Sequence, residues 1–510
     1  MGNHLSKSKC VRMSQKKRNR NASLAAPRLS AAAVWLAGLA ALALLFSSVV
    51  TSAGGQNQQQ GGREDAATSN NSGNVHDPGV RTDPGPSPSG SPISTLSAQQ
   101  LAYFEDGLAR FVAVDSVSGG APNEPGIGLG PGYNSNSCGS CHSQPGIGGS
   151  SPSINPQLVA ATDYGATNSI PYFLTPDGPV REARFPYLVN SNGSLSSTPD
   201  GGVHALFTIA GRSDANGCTM SQPNFAQAEK LNNIIFRIPT PIFGSGLIEA
   251  ISEATIYANM NANSQLKRSL GISGHPNTSG NDGTITRFGW KAQNKSVEIF
   301  AGEAYNVEMG VTNELFPEER ASPPSNCMSN ATPEDSTNFP ASGSAIPSDV
   351  VAFSNFMRFL APPAPSQQGI PGNPSAASIA DGQAVFNQVH CTMCHTPSLP
   401  TGNSIFTPGL SNQSANLYSD LLVHNMGAGL ADHVSQGGAG PDEFRTAPLW
   451  GVGQRYFFLH DGRSTPSNGG LVNAIQSHAS NGSEANSVIQ LYNKLSPTQK
   501  QDLLNFLRSL

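Results

Sequence analysis

Hydrophobic residues recur at helical spacing in four stretches of this chain. The first stretch begins after Ser97, and its apolar positions are Leu101, Phe104, Leu108 and Phe111. Ser97 and Gln100 have the spacing of a capping box, so we expect a helix to begin there. Further helices are predicted over residues 349–360 and 376–389. The last is predicted to begin at Ser496-Pro497, with leucines at 503, 504, 507 and 510 on one face.

Two segments between the first and second helices have the pattern of short strands. Residues 204–209 and 234–238 are apolar or alternating runs bounded by Gly, Pro and Asn. A Pro-rich segment near 361–374 then separates the chain into two parts. We therefore predict a mainly α fold with an N-terminal domain over 96–365, which contains a loop and β-strand insertion, and a C-terminal domain over 366–510.

The first 95 residues differ in composition from the rest. Residues 1–53 contain eight Lys or Arg and no Asp or Glu, and their apolar run at 31–50 precedes small residues. This pattern is typical of an export signal, or of an N-terminal anchor if the run is retained. Residues 54–95 are polar and predict a flexible linker. We expect an exported, periplasmic protein, associated with a membrane only if the segment is retained.

The charge of the exported part limits its partners. Without the leader, 21 of the 29 basic residues remain against 34 acidic ones. An acidic body of this kind disfavours nucleic-acid binding and suits a basic redox partner.

Two CxxCH strings carry the clearest chemistry. They place Cys138, Cys141 and His142 in the first part, and Cys391, Cys394 and His395 in the second. Two thiols one helical turn apart can each add to a haem vinyl group, and the next His can then bind the iron. A zinc site or a dithiol redox pair would not explain the His after each pair. The strings therefore predict two covalently bound haem c groups.

The sequence leaves several partners open. Downstream candidates for the sixth ligand of the second iron are His424, Met426, His433, His460 and His478, and spacing does not choose among them. Cys218 and Cys327 lie in polar surroundings and either pair or remain free. Candidate propionate partners are Arg287, Arg445 and Arg463, although surface arginines are the commoner case.

Six strings together resemble a known family: GLGPGYNSNSCGSCH, RFGWKA, MGVTNELFP, LLVHNMGAGLAD, FRTAPLWGVG and FLHDGR. The chain from residue 96 to 510 is similar to the di-haem oxidoreductases, which are related to bacterial dihaem cytochrome c peroxidases and MauG-type enzymes. The resemblance and the helix preceding each motif imply two cytochrome c-like haem domains.

The resemblance also implies individual roles. His395 would be the proximal ligand of the C-terminal haem and His478 its distal ligand, with Met426 as the alternative. Trp290 would lie between the haems, and Glu308 would be the acid–base group at the N-terminal haem. Without the resemblance, Trp290 reads as a core residue and Glu308 as a solvated one.

The N-terminal haem departs from the peroxidase pattern. The only His residues between its motif and Trp290 are His204 and His275, and neither has the context of a ligand. We therefore expect this iron to be five-coordinate or water-bound and open to a small oxidant.

The expected function is a peroxidase-like oxidoreductase that passes electrons from the C-terminal to the N-terminal haem. A small cytochrome c or cupredoxin would be the donor, and peroxide or another small oxidant the acceptor. The alternatives are an electron-transfer cytochrome with two six-coordinate irons, and a MauG-like or oxygenase activity on an organic or protein substrate. Nothing in the sequence indicates calcium, although the resemblance leaves it open.

Overall fold

The computed structural model describes residues 75–510, apart from 118–125, 128, 131, 164–169, 200–203, 206–216, 219, 319–326, 328–347 and 405–406. These residues belong to one compact unit, Asn71–Leu510. The predicted export signal and residues 54–74 of the predicted linker lie outside the described part. Within the described part, no helix has both the length and the hydropathy to span a membrane.

The α-helices of the described part are α1 (Ala98–Val112), α2 (Cys138–Cys141), α3 (Pro156–Asp163), α4 (Phe225–Lys230), α5 (Ser245–Ala250), α6 (Glu253–Asn261), α7 (Ser264–Leu270), α8 (Val297–Met309), α9 (Asp349–Phe359), α10 (Ala376–Gln388), α11 (Gly470–Gln476), α12 (Asn486–Asn493) and α13 (Pro497–Ser509). Short 3₁₀ turns lie at Cys391–Met393, Pro408–Leu410, Val452–Gln454 and Pro466–Asn468.

The strands are short and form small, separate sheets. They are β1 (Asp115–Ser116), β2 (Gly126–Ile127), β3 (Glu182–Arg184), β4 (Tyr187–Val189), β5 (Leu195–Pro199), β6 (His204–Ala205), β7 (Ile235–Arg237), β8 (Leu399–Pro400), β9 (Ser414–Ala415), β10 (Val423–Asn425) and β11 (Glu443–Arg445). The three-stranded sheet has the order β6-β3-β7, and both of its strand pairs are antiparallel. The fold is therefore a mixture of helices and short strands, less purely helical than predicted.

Two helix pairs frame the CxxCH strings. Helix α1 crosses α9 at Gly107, where an added Cβ would lie 2.2 Å from the Ala352 carbonyl oxygen. Helix α10 crosses α13 in the same way at Gly382, where an added Cβ would lie 1.9 Å from the Asp502 carbonyl oxygen. Each pair thus consists of the helix before a CxxCH string and a later helix packed closely across it.

Most predicted helix boundaries are confirmed. Ser97 and Ser496 form capping boxes at the starts of α1 and α13. The apolar face of α1 is buried at Phe104 and Phe111, whereas Leu101 is 37% exposed. All four leucines of the last helical pattern are buried.

The strand predictions are confirmed less fully. Strand β7 covers the centre of the predicted 234–238 segment. Of the predicted 204–209 strand only His204–Ala205 is described, and residues 206–209 lie outside the described residues.

Part of the predicted linker is folded onto the body. Asp77 accepts hydrogen bonds from Arg508 at 2.7 and 2.6 Å, and Arg508 is fully buried near the end of α13. Arg81, also buried, donates to the carbonyl oxygens of Arg508 and Leu510. Residues from 75 onward therefore hold the end of α13, which a polar composition alone does not reveal.

Cys218 and Cys327 form a disulfide. Of the two arrangements that the sequence left open, pairing is the one found. The four cysteines of the CxxCH strings form no disulfide.

Candidate functional site

A mainly apolar cavity of about 230 Å³ lies beside the second CxxCH string. Cys391, Cys394 and His395 line it from the end of α10, and Phe386 of α10 packs with its ring centre 6.2 Å from that of His395. Apolar side chains of α11, α12 and α13 form the opposite wall: Leu471, Val488, Leu503 and Leu507. This is the expected environment of a flat, apolar cofactor held at one edge by two thiols.

Five histidines line this cavity, and two of them, His395 and His478, share one hydrogen-bond arrangement. Nδ1 of His395 lies 2.9 Å from the Tyr418 carbonyl oxygen, and Nδ1 of His478 lies 2.8 Å from that of Ala474. Because a carbonyl only accepts, Nδ1 of each ring must carry the proton, which leaves the lone pair on Nε2. Histidines that bind metals are commonly oriented in this way. Burial lowers the pKa of His395 to about 4 and also lowers that of His478, which keeps both rings neutral.

Met426, the alternative ligand, also lines the cavity. It packs against a small cluster that contains Trp290, Phe444 and Phe457. The geometry thus brings both candidates to the predicted site, and the orientation of the ring favours His478.

Two buried arginines at this cavity have N–H groups free to bind an anion. Arg445 Nη1, and Arg455 Nε and Nη2, have no hydrogen-bond partner within the described part of the chain. Burial lowers the pKa of both guanidinium groups to about 10, so they remain charged at neutral pH. An uncompensated buried cation is costly. The two propionate carboxylates of a haem in this apolar cavity would supply the missing counter-charges and hydrogen-bond acceptors of Arg445 and Arg455. The residues of the cavity therefore suit this cofactor.

A second cavity, of about 150 Å³, lies beside the first CxxCH string. Cys138, Cys141 and His142 line it, and His142 Nδ1 lies 3.0 Å from the Gly149 carbonyl oxygen. Phe111 of α1 packs against the His142 ring as Phe386 packs against His395. Burial lowers the pKa of His142 to about 4, so this ring is also neutral, with its lone pair on Nε2.

The two cavities differ in the side chains available as a second iron ligand. His142 is the only histidine among the described residues that line the N-terminal cavity. His275 lies elsewhere, with Nε2 3.0 Å from Glu443, and the side chain of His204 is outside the described part. Two methionines, Met309 and Met357, also line this cavity, and Met309 Sδ lies 3.5 Å from Cys138 Sγ.

Glu308, to which the resemblance gives the acid–base role, is half-buried and lines the N-terminal cavity. Its Oε2 accepts a hydrogen bond of 2.6 Å from Asn134 Nδ2, and its backbone carbonyl accepts one from the Asn134 amide. Helix α8 places a second carboxylate, Glu303, at the same cavity, where Asn294 donates to it. Glu308 and Glu303 are therefore two carboxylates of this cavity that are each oriented by an asparagine.

The three-stranded sheet adds a charged wall to this cavity. Its register places Glu182, Arg184 and Arg237 on one face of β3 and β7, and all three line the cavity. Burial lowers the pKa of both arginines to about 10. The insertion predicted from the sequence is thus part of the site, a role that the sequence did not indicate.

Trp290 lines both cavities. It is 7% exposed, and its indole Nε1 donates a hydrogen bond of 3.0 Å to the Ile238 carbonyl oxygen. The His460 ring lies 6.5 Å from the indole, edge on. The position between two haem sites that the resemblance implied for Trp290 is therefore the position between the two cavities.

The thiols of the CxxCH strings are poorly suited to dithiol chemistry. Burial raises the pKa of Cys141 to about 11 and that of Cys391 to about 12, and it raises that of Cys138 further. Reactive dithiols need a lowered pKa.

His424 has a structural role beside Cys394. Its Nε2 lies 3.0 Å from Asp420 and its Nδ1 2.8 Å from Glu484. Burial opposes the charge of this ring, but the negative groups around it hold its pKa well above 6.5. With Cys394 and Asp420 it forms the single group of three possible metal ligands found among the described residues. Because this group includes a thiol of the CxxCH string, we assign it to the C-terminal cavity and not to a separate metal site.

Sequence reasoning placed the arginines less well than the histidines. Arg445, one of the three candidate propionate partners, lines the C-terminal cavity. Arg463 instead pairs with Asp461 at the surface, and Arg287 binds the backbone oxygens of Ile248 and Glu249 away from both cavities. Arg455 was missed, and no local pattern marks it.

Comparison with known proteins gives a family match and distant structural neighbours. The family model described as "Di-haem oxidoreductase, putative peroxidase" matches residues 196–510, more than half of the chain. This range includes Trp290, Glu308 and the second CxxCH string, and it begins after the first. A search of the curated proteins found no match.

Two solved structures are similar at low identity. A MauG-like protein associated with microbial copper homeostasis is 17% identical over 51% of this chain and 89% of its own, with a TM-score of 0.24. Hydrazine synthase of Kuenenia stuttgartiensis is 17% identical over 33% of this chain, with a TM-score of 0.20, and the match spans 59% of that protein's chain. On the family match, this chain belongs to the di-haem oxidoreductase family.

Proposed function

We propose that this protein is an exported, peroxidase-like oxidoreductase with two covalently bound haems. Electrons enter at the C-terminal haem site, and peroxide is reduced at the N-terminal site. The difference between the two cavities supports this division. The C-terminal cavity offers His395 and His478 as two candidate iron ligands, which suits electron transfer, whereas the N-terminal cavity offers His142 and three carboxylates, those of Glu182, Glu303 and Glu308.

The observation that carries the proposal is the position of Trp290. A single buried indole lines both cavities, so it is a direct connection between the two haem sites. When bound, the haem irons supply the redox chemistry that the side chains cannot perform.

The side chains of the N-terminal cavity suit peroxide reduction. Peroxide takes up two electrons and two protons as its O–O bond breaks to give two waters. A carboxylate in the cavity could take a proton from one peroxide oxygen and deliver it to the other, which leaves as water. Glu308 fits this role, because Asn134 orients it while its half-buried position leaves it in contact with the cavity.

The sequence and the disulfide support the compartment and the donor that we propose. Residues 1–53 have the pattern of an export signal, and the Cys218–Cys327 bond is typical of an oxidising compartment. We place the protein in the periplasm. A basic cytochrome c or cupredoxin is the donor that suits its acidic body.

Replacement of Glu308 tests the proposal. In a steady-state assay with peroxide and a reduced donor, Glu308→Gln should lower turnover about 100-fold, the usual contribution of a general acid–base group. Glu298→Gln is the matched control, because Glu298 lies on the same helix and does not line the cavity. Equal turnover in the two variants would remove Glu308 from the mechanism.

The position of the Met309 sulfur beside Cys138 favours a second candidate function, electron transfer without catalysis. If its sulfur binds the N-terminal iron, both sites are closed and the protein is an electron carrier. The EPR spectrum of the oxidised protein separates the two functions. A high-spin signal that cyanide removes supports the peroxidase, and two low-spin haems without a high-spin signal support the carrier.

A further inference from the structure

A buried network of three charged residues lies beside Trp290. Asp432 Oδ2 lies 2.6 Å from Arg237 Nη2, and Asp432 Oδ1 lies 3.0 Å from Lys291 Nζ. All three side chains are at most 3% exposed. Two cations share one carboxylate, so the contacting groups carry a net charge of about +1 at neutral pH.

The ammonium group of Lys291 is held on several sides. It donates hydrogen bonds of 2.8 and 2.9 Å to the carbonyl oxygens of Gly440 and Glu443. It also lies 4.1 Å from the centre of the Phe444 ring. Burial lowers the pKa of Lys291 to about 8, with Asp432 opposing the shift, so the group remains charged at neutral pH.

The network joins the two backbone segments that hold the indole. Lys291 follows Trp290 in the chain, and Arg237 precedes Ile238, whose carbonyl oxygen accepts the indole N–H. Asp432 bridges the two cations and so fixes these segments relative to each other. Phe444, which contacts Lys291, also stacks on His460, with 4.3 Å between the two ring centres. The His460 ring in turn packs edge on against the Trp290 indole at the C-terminal cavity.

Two features oppose the oxidation of this tryptophan. Loss of one electron would leave a cation near the net positive charge of the Arg237–Asp432–Lys291 network, and like charges repel more strongly in a buried environment than in water. The indole proton faces a peptide carbonyl, which cannot accept it as a base. A radical formed there could be stabilised neither by a neighbouring negative charge nor by release of its proton to this partner.

We propose that the Arg237–Asp432–Lys291 network is a positioning element that keeps Trp290 in its neutral form. Trp290 then connects the two haem sites without becoming the place where oxidising equivalents collect. This inference rests on the proposed function. It assigns a protective role to Lys291, whose side chain lines neither cavity.

The test is to mix the oxidised protein with peroxide in the absence of a donor and to record the EPR spectrum. Each peroxide removes two electrons, and no donor replaces them, so a protein group that is easily oxidised would become a radical. The wild type should show little organic radical. Lys291→Met removes the charge, and Lys291→Gln removes it but keeps a hydrogen-bond donor for the two carbonyls. Both variants should increase the radical about tenfold, as expected for the loss of one nearby charge.

Two further variants identify the signal and its cause. Adding Trp290→Phe to either Lys291 variant should abolish the radical. Lys267→Met is the matched control, because Lys267 is also buried and donates to two backbone carbonyls, those of Asn259 and Met260, but lines neither cavity. It should behave as the wild type.

The outcomes separate this inference from the proposed function. If the wild type accumulates a radical that Trp290→Phe abolishes, the tryptophan is not protected and the inference is wrong. It is also wrong if the Lys291 variants bind both haems and consume peroxide, yet show no more radical than Lys267→Met. If the wild type with both haems bound does not consume peroxide, the proposed function fails and the inference with it.

Discussion

We propose His395 and His478 as the two ligands at the C-terminal haem site, and two individual hydrogen bonds support this assignment. His478 Nδ1 is engaged by the Ala474 carbonyl oxygen, as His395 Nδ1 is by that of Tyr418. We therefore expect His478→Ala to convert this haem from low spin to high spin in the oxidised state, because the iron loses a nitrogen ligand. EPR and optical spectra of the variant would measure the change.

Met426→Leu is the control for this prediction. Leucine preserves most of the volume and the apolar contacts with the Trp290 cluster, so the spectrum should remain that of the wild type. If Met426→Leu became high spin and His478→Ala did not, Met426 would be the ligand.

At the residue scale, the functional residues that lie next to one another in the sequence could be predicted from it. Each CxxCH string places three functional groups within five positions, and the structure brings each set to a cavity. Lys291 and Arg455 could not be found in this way. Lys291 contacts Asp432 and two carbonyls about 150 positions away, and neither residue has a local pattern that distinguishes it from a surface cation.

At the scale of elements, the two helix crossings depend on glycine. An added Cβ at Gly382 would lie 1.9 Å from the Asp502 carbonyl oxygen and 2.8 Å from Phe506 Cβ. Gly382→Ala should therefore separate α10 from α13 and destabilise the protein by about 1–3 kcal/mol, as overpacking does. Denaturant unfolding followed by circular dichroism would measure this loss.

Gly280→Ala provides the comparison. An added Cβ at Gly280 meets no atom within 4 Å, so its unfolding midpoint should match that of the wild type. Equal midpoints for the two variants would show that the helices can move apart without cost.

Elements with local signals were predicted well, and elements that depend on distant partners were not. Ser97 with Gln100 and Ser496 with Gln499 define their helix starts through contacts three residues apart. Strands β3 and β7 pair with Glu182 opposite Arg237, although these two residues are 55 positions apart in the sequence. The residues that flank the two strands do not indicate this pairing. The sequence therefore predicted where a strand lies but not which cavity it faces.

At the scale of the whole molecule, the two ends of the described chain stabilise each other. Asp77 and the fully buried Arg508 form an ion pair whose shorter distance is 2.6 Å. Arg508 also donates to the carbonyl oxygens of Gly453 and Arg455, next to the C-terminal cavity. Asp77→Asn would leave a buried cation without its counter-charge, so we expect a loss of about 3 kcal/mol in the free energy of unfolding.

Acidification should weaken the same contact. Burial would raise the pKa of Asp77, but the hydrogen bond and charge of Arg508 outweigh it and lower the pKa below 3.8. The carboxylate therefore stabilises the fold at pH values above 3.8, and this contribution is lost as the pH falls through the lowered pKa of the folded state. Unfolding midpoints measured from neutral pH down to this range should converge for the wild type and Asp77→Asn.

Asp282→Asn is the control for this prediction, because it removes an exposed ion pair with Lys295 and exposed ion pairs contribute little to stability. Its unfolding midpoint should match that of the wild type at neutral pH. A constant difference between the wild type and Asp77→Asn across the whole range would show that the charge of Asp77 is not what holds the two ends together.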